Sequence, residues 1–561
     1  MGINRDIIKA YALENAIGHD GKANQNSVLN SLFMEGLKKE EIKETMPIIQ
    51  DVLKEIHSYT LEKQEKEFEE LKELVKKREK REGLAELENA EKGKVVMRIA
   101  PFPSGPLHIG NTRQIILNDE YTKMYSGKLL LVLDDTIGSV EKPIEPEAYK
   151  MIEEGVKWLG VSYDKKIIYK SDRLEIYYEY AEELIKKGYM YVCSCDQEKL
   201  RENRERGIEC DCRNLSETDN LDRWKKMFSA KEGEYAVRLK TDMQDKNPAF
   251  RDRIMFRISE RTHPRVKNKY KVWPLLEFSW AIDDHLLGIT HIIRGVELIM
   301  ETQVEGFIWD IFKWKKPVTM HTGLFSIEGV KISKSKGAKE VRSGSYIGWN
   351  DPRTWSLQSL RDRGIFPETI REFILAMGMT KNNSTVAIDI LYSLNKKFLE
   401  KVPRYFFVPD QIKVEISGSP ELKAVLPLHP SENLGARIYK TSQEFYIAKK
   451  DYDNFKTGDY RLIHLLNFKV DRTIKGADLH FISTEHDEKL DVKFLQWLAV
   501  SEDNIKVDVR MEDNSIISGL GEPELLNLKE GTQIQFERFG FVKLHKLDVK
   551  AKKAEFWFTH R

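Results

Sequence analysis

The stretch from Arg98 to Asn111, with the sequence RIAPFPSGPLHIGN, constrains the fold more than any other part of the chain. A short apolar run from Val95 to Met97 leads into it, and apolar residues with helical spacing from Ile115 to Tyr121 follow it. Two prolines stiffen the loop between them, and its glycines allow close approach to the backbone. The pattern predicts a strand, a loop and a helix whose N-terminus could hold a phosphate. On these residues alone, an ordinary Pro/Gly-rich loop is an equally good interpretation.

Strand and helix patterns alternate over residues 94–187 and again over 273–345, which predicts a parallel, doubly wound α/β sheet. Ligands bind such sheets at the carboxyl ends of the strands. The loop after Val95–Ile99 and the acidic pair Asp134–Asp135 both follow predicted strands. Residues 188–272 break the alternation, and we interpret them as an insertion between two halves of one sheet.

The flanking regions have different patterns. Residues 1–93 are predicted to be helical, with a third helix starting at Pro47 and a solvated Glu/Lys-rich helix over 61–82. Residues 346–401 are also predicted to be helical. Short β-rich runs separated by Gly, Asp and Asn fill 402–561 and predict one or two β-barrels.

The totals fit a multidomain globular protein, since 561 residues exceed what one core supports and about three to five domains are expected. No apolar run reaches the roughly 18–20 residues of a membrane helix, and the N-terminal residues lack a secretory pattern, so we expect a cytoplasmic protein without membrane contact. A net charge of +1 excludes a binder that depends on overall positive charge, but it leaves local basic patches open.

All four cysteines lie in one short segment, as two C-x-C pairs fourteen residues apart. Four thiolates complete a tetrahedral zinc site and leave no position open for catalysis, so a structural Zn²⁺ site is predicted, with iron as the alternative. The predicted ligands are Cys193, Cys195, Cys210 and Cys212.

A second polar loop, KISKSKG from Lys331 to Gly337, carries three lysines and two hydroxyls beside a glycine. Lysine is a good partner for phosphate. Taken alone, such a loop is usually just solvated. Its place in the second half of the same predicted sheet favours a shared role with the first loop in binding an anionic ligand.

These two loops resemble the two signature motifs of class I aminoacyl-tRNA synthetases, which read HIGH and KMSKS in that family. Together with DDT at 134–136, DDHLLGITHIIRG at 283–295 and the paired cysteines, they resemble the archaeal type of glutamyl-tRNA synthetase. The β-rich C-terminal region resembles the barrel anticodon-binding domains of archaeal and eukaryotic members. The resemblance implies a Rossmann-like catalytic domain over 94–187 and 273–345. It also implies an insertion that binds the tRNA acceptor end and a stem-contacting helical region.

The resemblance implies ATP-dependent charging of tRNA(Glu) with L-glutamate, with Mg²⁺ accompanying ATP, by a monomer. Charging of tRNA(Gln) is left open. The implied catalytic residues are His108, Asn111, Lys331 and Lys334. The implied ATP-binding residues are Pro103, Gly105, His108, Gly110, Asn111 and Lys334. The implied glutamate-binding residues are Arg98, Ala100, Asp134 and Arg294, of which Arg294 would take the side-chain carboxylate and Asp134 the ammonium.

Several positions depart from the family pattern. Asn111 replaces the second histidine of the first signature, and Phe102, Val132 and Leu276 replace a small or polar residue, an arginine and a tyrosine. Ile137–Gly138 stand where Asp-Pro is usual. Two alternatives stay open. One is a glutaminyl-tRNA synthetase of the same class, and the other is a catalytically inactive paralogue that binds tRNA or acts as a scaffold, which the pocket departures and the charged N-terminal segment would fit.

Overall fold

The computed structural model describes residues 4–19, 21–75, 83–137, 143–164, 166–330, 334–474, 476–485 and 492–561, leaving aside the side chains of Asn30, Met34, Lys39, Lys334, Ser335 and Lys336. The chain divides into two compact units, Met1–Glu82 and Gly83–Arg561. Among the helices described, none is long and apolar enough to cross a membrane.

The first unit is helical, as predicted. The predicted helical region, residues 1–93, extends too far, because residues 83–93 belong to the second unit and form turns without a helix, with Leu87 packed in the same core as Met97 of β1, a strand described below. Its helices are α1 (Arg5–Ile17), α2 (Gln25–Met34), α3 (Ile42–His57) and α4 (Leu61–Leu71). The prediction that Pro47 starts the third helix is wrong, because α3 begins at Ile42 and contains Pro47. Ile42 and Met46 pack against the core of the unit, and their burial favours helix ahead of the proline. The Glu/Lys-rich run is helical up to Leu71 and lays Phe68 and Leu71 on that core, and its residues 76–82 lie outside the described part.

The first half of the α/β region alternates strand and helix as predicted. Its elements are β1 (Val96–Ile99), α5 (Ile109–Met124), β2 (Lys128–Leu133), α6 (Ala148–Trp158), β3 (Ile168–Tyr169) and α7 (Leu174–Lys186). The strands pair in parallel in the order β1-β2-β3. Alternate residues of β2 enter two different cores, which is why this strand is apolar throughout.

Residues 188–272 form the expected interruption. The elements are β4 (Met190–Cys193), α8 (Gln197–Arg206), α9 (Glu217–Met227), β5 (Ala236–Leu239), β6 (Ile254–Ile258) and β7 (Val272–Pro274). The strands form an antiparallel sheet in the order β4-β5-β6-β7, which extends two residues past the predicted boundary at 272. The last strand leads directly into the second half of the α/β region.

The second half of the α/β region contains another pair of parallel strands, β8 and β9, given below with the other elements. Its elements are α10 (Leu276–Leu286), β8 (His291–Gly295), α11 (Ile299–Phe312), β9 (Val318–Thr322), β10 (Phe325–Ile327) and α12 (Lys334–Arg342). Strands β8 and β9 pair in parallel. Thr290, just before β8, exchanges hydrogen bonds of 2.9 Å with the backbone of Val96 in β1, so the two halves share one layer. The carboxyl ends of β1, β2 and β8 therefore lie at one edge.

Residues 346–400 contain the predicted helices, interrupted by one strand. They form α13 (Leu357–Arg363), α14 (Pro367–Met377), β11 (Ser384–Val386) and α15 (Ile388–Leu399). Pro367 occupies the first turn of α14, as predicted, where its missing N–H costs nothing. Strand β11 pairs with β10, which ties this region to the second half of the α/β region.

The C-terminal region is rich in β-strands, as predicted. Its elements are β12 (Arg404–Tyr405), β13 (Phe407–Pro409), β14 (Gln411–Glu415), β15 (Leu422–Pro427), β16 (Ala436–Thr441), β17 (Glu444–Ala448), α16 (Lys449–Asp453), β18 (Gly458–Leu462), β19 (Asn467–Thr473), β20 (Gly476–Ser483), β21 (Lys493–Leu495), β22 (Leu498–Ala499), β23 (Ile505–Arg510), β24 (Ile516–Gly521), β25 (Gln533–Phe536), β26 (Gly540–Asp548) and β27 (Lys553–His560). They surround two separate apolar cores.

The largest C-terminal sheet has seven strands in the order β12-β25-β26-β27-β23-β24-β13. Its two outermost strands, β12 and β13, are consecutive in the chain and separated by Phe406 alone. The two edges of the sheet therefore lie next to each other.

Candidate functional site

The loop between β1 and α5 depends on two glycines for its shape. Gly105 has a φ of 148° and lies against the Trp349 ring, which a Cβ atom would meet at 2.9 Å. Gly110 lies under the His108 imidazole, and a Cβ there would meet its Cε1 at 2.9 Å. A side chain at either glycine would therefore displace its neighbour, and at Gly110 that neighbour is the predicted catalytic residue His108.

The start of helix α5 is held by Asn111. His108 is the N-cap residue, and its backbone N–H donates a 3.1 Å hydrogen bond to Oδ1 of Asn111. Residues 107–109 are also braced by the segment that precedes α13, since Leu357 donates to the carbonyl of Leu107 and Ile109 to that of Trp355. The loop is therefore held on both sides. The short amide side chain of Asn111 reaches back to the backbone of the N-cap residue, a contact that a histidine at this position would make less well.

A cleft of about 570 Å³ opens beside the N-terminus of α5 and has the size of a small-ligand site. Helix α5 forms one wall, and the β10–β11 pair forms the other. Its lining residues are His108, Gly110, Asn111, Gln114, Glu297, Gly323, Leu324, Phe325, Ser326, Asn383, Ser384 and Thr385. Three predicted ATP-binding residues, His108, Gly110 and Asn111, are thus brought to one cleft.

The predicted lysine loop follows β10, which lines this cleft. Lys331 lies outside the described residues, and Lys334 begins α12 with a side chain that is not described. Pro103 is not among the lining residues, and its carbonyl accepts a 2.9 Å hydrogen bond from the backbone N–H of Glu145. The roles predicted for these three residues, and for those that line the cleft, stay predictions.

Arg98 lies buried at the carboxyl end of the sheet, among residues of α10. Its guanidinium binds both carboxylate oxygens of Asp284, at 2.5 and 2.8 Å, and stacks on the Trp280 ring at 3.5 Å. Trp280 and Asp284 are one helical turn apart, so they share a face of α10. Ala100 follows β1 in the same segment and is partly buried.

Asp134 follows β2 at the same edge and pairs with a buried lysine. Lys170 Nζ lies 3.1 Å from Oδ1 of Asp134, donates a 2.7 Å hydrogen bond to Ser279 Oγ, and lies 3.5 Å from the centre of the Trp280 ring. Trp280 thus connects Lys170 to Arg98. Burial lowers the pKa of Lys170, while Asp134 and Asp283 oppose that shift.

Arg294, in β8, completes the cluster and pairs with Glu305 of α11. Its Nη1 and Nη2 donate hydrogen bonds of 2.9 and 2.8 Å to the two carboxylate oxygens of Glu305, and Nη2 lies 4.0 Å from Asp284. Burial raises the pKa of Glu305 to about 7, because desolvation outweighs the attraction of Arg294. The structure therefore brings Arg98, Asp134 and Arg294 together, and each has an internal partner of opposite charge.

Four members of this cluster were not proposed as site residues from the sequence: Lys170, Trp280, Asp284 and Glu305. Lys170 directly follows β3, and ligands of such sheets bind at the carboxyl ends of the strands. Lys170 could therefore be identified once that two-residue strand is recognised. Glu305 lies between Val304 and Ile308 on the buried face of α11, and an acidic residue on an apolar helical face is a signal in the sequence.

The four cysteines form one cluster in the insertion. Their sulfur atoms all lie within 4.8 Å of one another, and those of Cys193 and Cys210 are 3.8 Å apart. Tetrahedral zinc with bonds of about 2.3 Å would set its sulfur atoms about 3.8 Å apart, so the donor set fits this ion. Arg223 Nη1 lies 3.3 Å from Cys212 Sγ and supplies a cation beside the thiolates.

Comparison with known proteins places these features in one family. The model of the catalytic domain of class I tRNA synthetases (E and Q) matches residues 94–401. Two models of the anticodon-binding domain of the same synthetases match 402–485 and 479–545. The chain belongs to the class I aminoacyl-tRNA synthetases of the E and Q type, an enzyme class that joins an amino acid to tRNA.

Two archaeal relatives match over nearly the whole chain. The glutamate–tRNA ligase of Pyrococcus abyssi is 42% identical and covers 100% of both chains. That of Pyrococcus furiosus is 43% identical and covers 96% of both. A crystal structure of a glutamate tRNA ligase from Elizabethkingia meningosepticum matches 55% of this chain and 70% of its own, at 20% identity and a TM-score of 0.41.

Proposed function

We propose that this protein ligates L-glutamate to tRNA(Glu) at the expense of ATP. The observation that carries the proposal is the similarity, over the full length, to archaeal glutamate–tRNA ligases. It is supported by the loop from Arg98 to Asn111, which starts in a charged cluster and ends at a cleft of about 570 Å³. One loop thus connects a site suited to an amino acid with a site suited to ATP.

In the first step, an α-carboxylate oxygen of glutamate attacks the α-phosphorus of ATP, and pyrophosphate leaves. His108 would stabilise the five-coordinate transition state, and Lys334, supported by Lys331, would neutralise the charge that develops on the phosphates. Asn111 holds the backbone of His108 and so fixes this end of the loop. Mg²⁺ would accompany ATP. Gly110 would lie in the wall of the nucleotide cleft, and Gly105 would keep the loop packed against Trp349.

Arg294 would bind the side-chain carboxylate of glutamate and Asp134 its ammonium, with Arg98 and Ala100 beside them. Arginine suits this task because its planar fork matches the two oxygens of a carboxylate and not an amide. In the second step, a hydroxyl of the 3′-terminal ribose of tRNA attacks the carbonyl carbon of the adenylate, and AMP leaves.

The remaining regions would bind tRNA. We propose that 188–272 binds the acceptor end and that 346–401 contacts the stem. The C-terminal strands would form anticodon-binding β-barrels, a proposal supported by the adjacent edges of the seven-stranded sheet. Cys193, Cys195, Cys210 and Cys212 would hold a structural zinc ion, and the protein would work in the cytoplasm as a monomer.

A charging assay tests this function. Purified protein receives ATP, Mg²⁺, transcribed tRNA(Glu) or tRNA(Gln), and labelled glutamate or labelled glutamine. We expect acid-precipitable label with glutamate and tRNA(Glu), and label on tRNA(Gln) would extend the substrate range. Label with glutamine instead would show a glutaminyl enzyme, and tRNA binding without any charging would show an inactive paralogue.

A matched pair of variants tests the role of Arg294. Arg294→Lys keeps the charge beside Glu305 but loses the fork, so the KM for glutamate should rise by about tenfold or more. Arg437→Lys makes the same change in a buried Arg–Glu pair of the C-terminal region and should leave that KM unchanged. Equal KM values in both variants would remove Arg294 from glutamate recognition.

A further inference from the structure

The two ends of the proposed amino-acid site already contain charges like those of the substrate. Asp134, the proposed partner of the substrate ammonium, pairs with the ammonium of Lys170. Arg294, the proposed partner of the substrate carboxylate, pairs with the carboxylate of Glu305. Both internal groups are fully buried, so water does not screen them from the site.

Glu305 takes the edge of Arg294 that is best suited to a carboxylate. It binds both terminal nitrogens, at 2.9 and 2.8 Å, and Nη1 also donates to Thr302 Oγ1 at 3.3 Å. Among the described residues, Nε of Arg294 is buried without a hydrogen-bond partner. Glu305 therefore occupies the edge formed by the two terminal nitrogens, where an incoming carboxylate would otherwise bind, and the carboxylate of Asp284 lies 4.0 Å from Nη2.

Lys170 occupies one carboxylate oxygen of Asp134, Oδ1, at 3.1 Å. Its ammonium has contacts on three sides, with Asp134, Ser279 and the face of Trp280. A substrate ammonium that approaches Asp134 meets this like charge, and the two must share one carboxylate. Like charges in one low-dielectric site weaken each other's binding.

We propose that Lys170 and Glu305 are internal surrogates of the substrate's ammonium and side-chain carboxylate, and that they set amino-acid affinity and specificity by competing for Asp134 and Arg294. The inference rests on the proposed assignment of those two residues to glutamate. Its consequence is that glutamate binds more weakly than Arg294 alone would allow, and that discrimination against the neutral glutamine is reduced.

Two variants remove the competing charges and keep the hydrogen bonds. Glu305→Gln leaves an acceptor for Arg294, and Lys170→Gln leaves a donor for Asp134. In the charging assay, each should lower the KM for glutamate about tenfold, equivalent to about 1.4 kcal/mol, with kcat and the KM for ATP little changed. Glu305→Gln should also raise the preference for glutamate over glutamine, measured as the ratio of kcat/KM values.

A buried Arg–Glu pair elsewhere in the chain provides the control. Glu522 binds Arg437 through contacts of 2.6 and 3.0 Å, and both side chains are buried in the C-terminal region. Glu522→Gln makes the same chemical change there and should leave the KM for glutamate unaltered. Glu305→Asp keeps the charge but shortens the side chain, so it should give a KM between those of wild type and Glu305→Gln.

The direction in which the KM for glutamate changes separates the possible outcomes. A side chain that only positions Arg294 or Asp134 can raise the KM on substitution, whereas a competitor lowers it. A KM for glutamate that is unchanged or raised in both glutamine variants, with an unchanged KM for ATP to report a folded catalytic domain, overturns the inference. Glutamate charging by Glu305→Gln or Lys170→Gln but not by wild type would support it and overturn the proposed function instead.

Discussion

Replacing Gly110 by alanine should damage catalysis without damaging the fold. The new Cβ would lie 2.9 Å from Cε1 and 3.0 Å from Nδ1 of His108, whereas ordinary contacts begin at 3.4 Å. The imidazole must therefore move by at least the difference of 0.5 Å, since the backbone of α5 is held by its hydrogen bonds. A misplacement of about 1 Å at a reacting centre costs about 100-fold, so this shift should cost about tenfold in kcat/KM for ATP.

Stability should change little. Alanine is a better helix former than glycine by at most about 0.5–1 kcal/mol at this position near the helix start, and the displacement of the His108 ring offsets that gain, so the melting temperature should stay nearly the same. Charging kinetics with varied ATP, together with differential scanning calorimetry, measure both effects on one preparation.

Gly306→Ala is the matched control, because this glycine also lies within a helix and its nearest neighbour would be Lys316 Nζ at 3.9 Å. It should gain stability and keep its activity. If Gly110→Ala keeps kcat/KM for ATP within twofold of wild type, either His108 does not approach the phosphates or its exact position is unimportant.

Three further predictions concern other parts of the chain. Protein purified without chelators should contain one zinc ion per chain by elemental analysis, and the Cys210→Ser variant should contain none. Fully folded wild-type protein without metal would contradict the cysteine site. In the first unit, a hydrogen bond from Lys9 lowers the pKa of Glu55 to about 2. The contribution of ionised Glu55 to stability is therefore complete above its ordinary pKa of 4.5 and is lost as the pH falls towards 2. Hydrogen exchange of α1 and α3 in the full chain should show this loss in wild type and not in Glu55→Gln. Arg363→Met removes buried donors to the carbonyls of Phe558 and Thr559 and should lower the free energy of urea unfolding by about 2–3 kcal/mol; a change below about 0.5 kcal/mol would show that these bonds are not needed.

Local patterns in the sequence predicted the elements that carry the signature loops. The apolar residues of β1, the prolines and glycines of the loop and the spacing in α5 are all within one stretch of chain, so strand, loop and helix could be predicted together. Pro367 marked the start of α14 for the same local reason. Pro47 misled the prediction because tertiary burial of Ile42 and Met46 outweighed a local start signal.

The charge pairs that Asp134 and Arg294 form at the proposed amino-acid site could not be predicted in this way. Asp134 and Lys170 follow neighbouring strands, and Arg294 and Glu305 are on a strand and the helix after it. Each residue alone is an ordinary charge. Only the parallel order of the strands and the buried face of α11 decide which of them meet, and that order depends on contacts between distant parts of the chain.

The arrangement of β12 and β13 at opposite edges of one sheet has a consequence for synthesis of the chain on the ribosome. Their partners, β25 and β24, emerge more than a hundred residues later, which takes about 5–25 s at roughly 5–20 residues per second. During that interval Tyr405 and Phe407, which are buried in the finished protein, have no partner strands. A nascent chain stopped at residue 515 should therefore be cut by chymotrypsin at these aromatic residues, and the completed chain should resist.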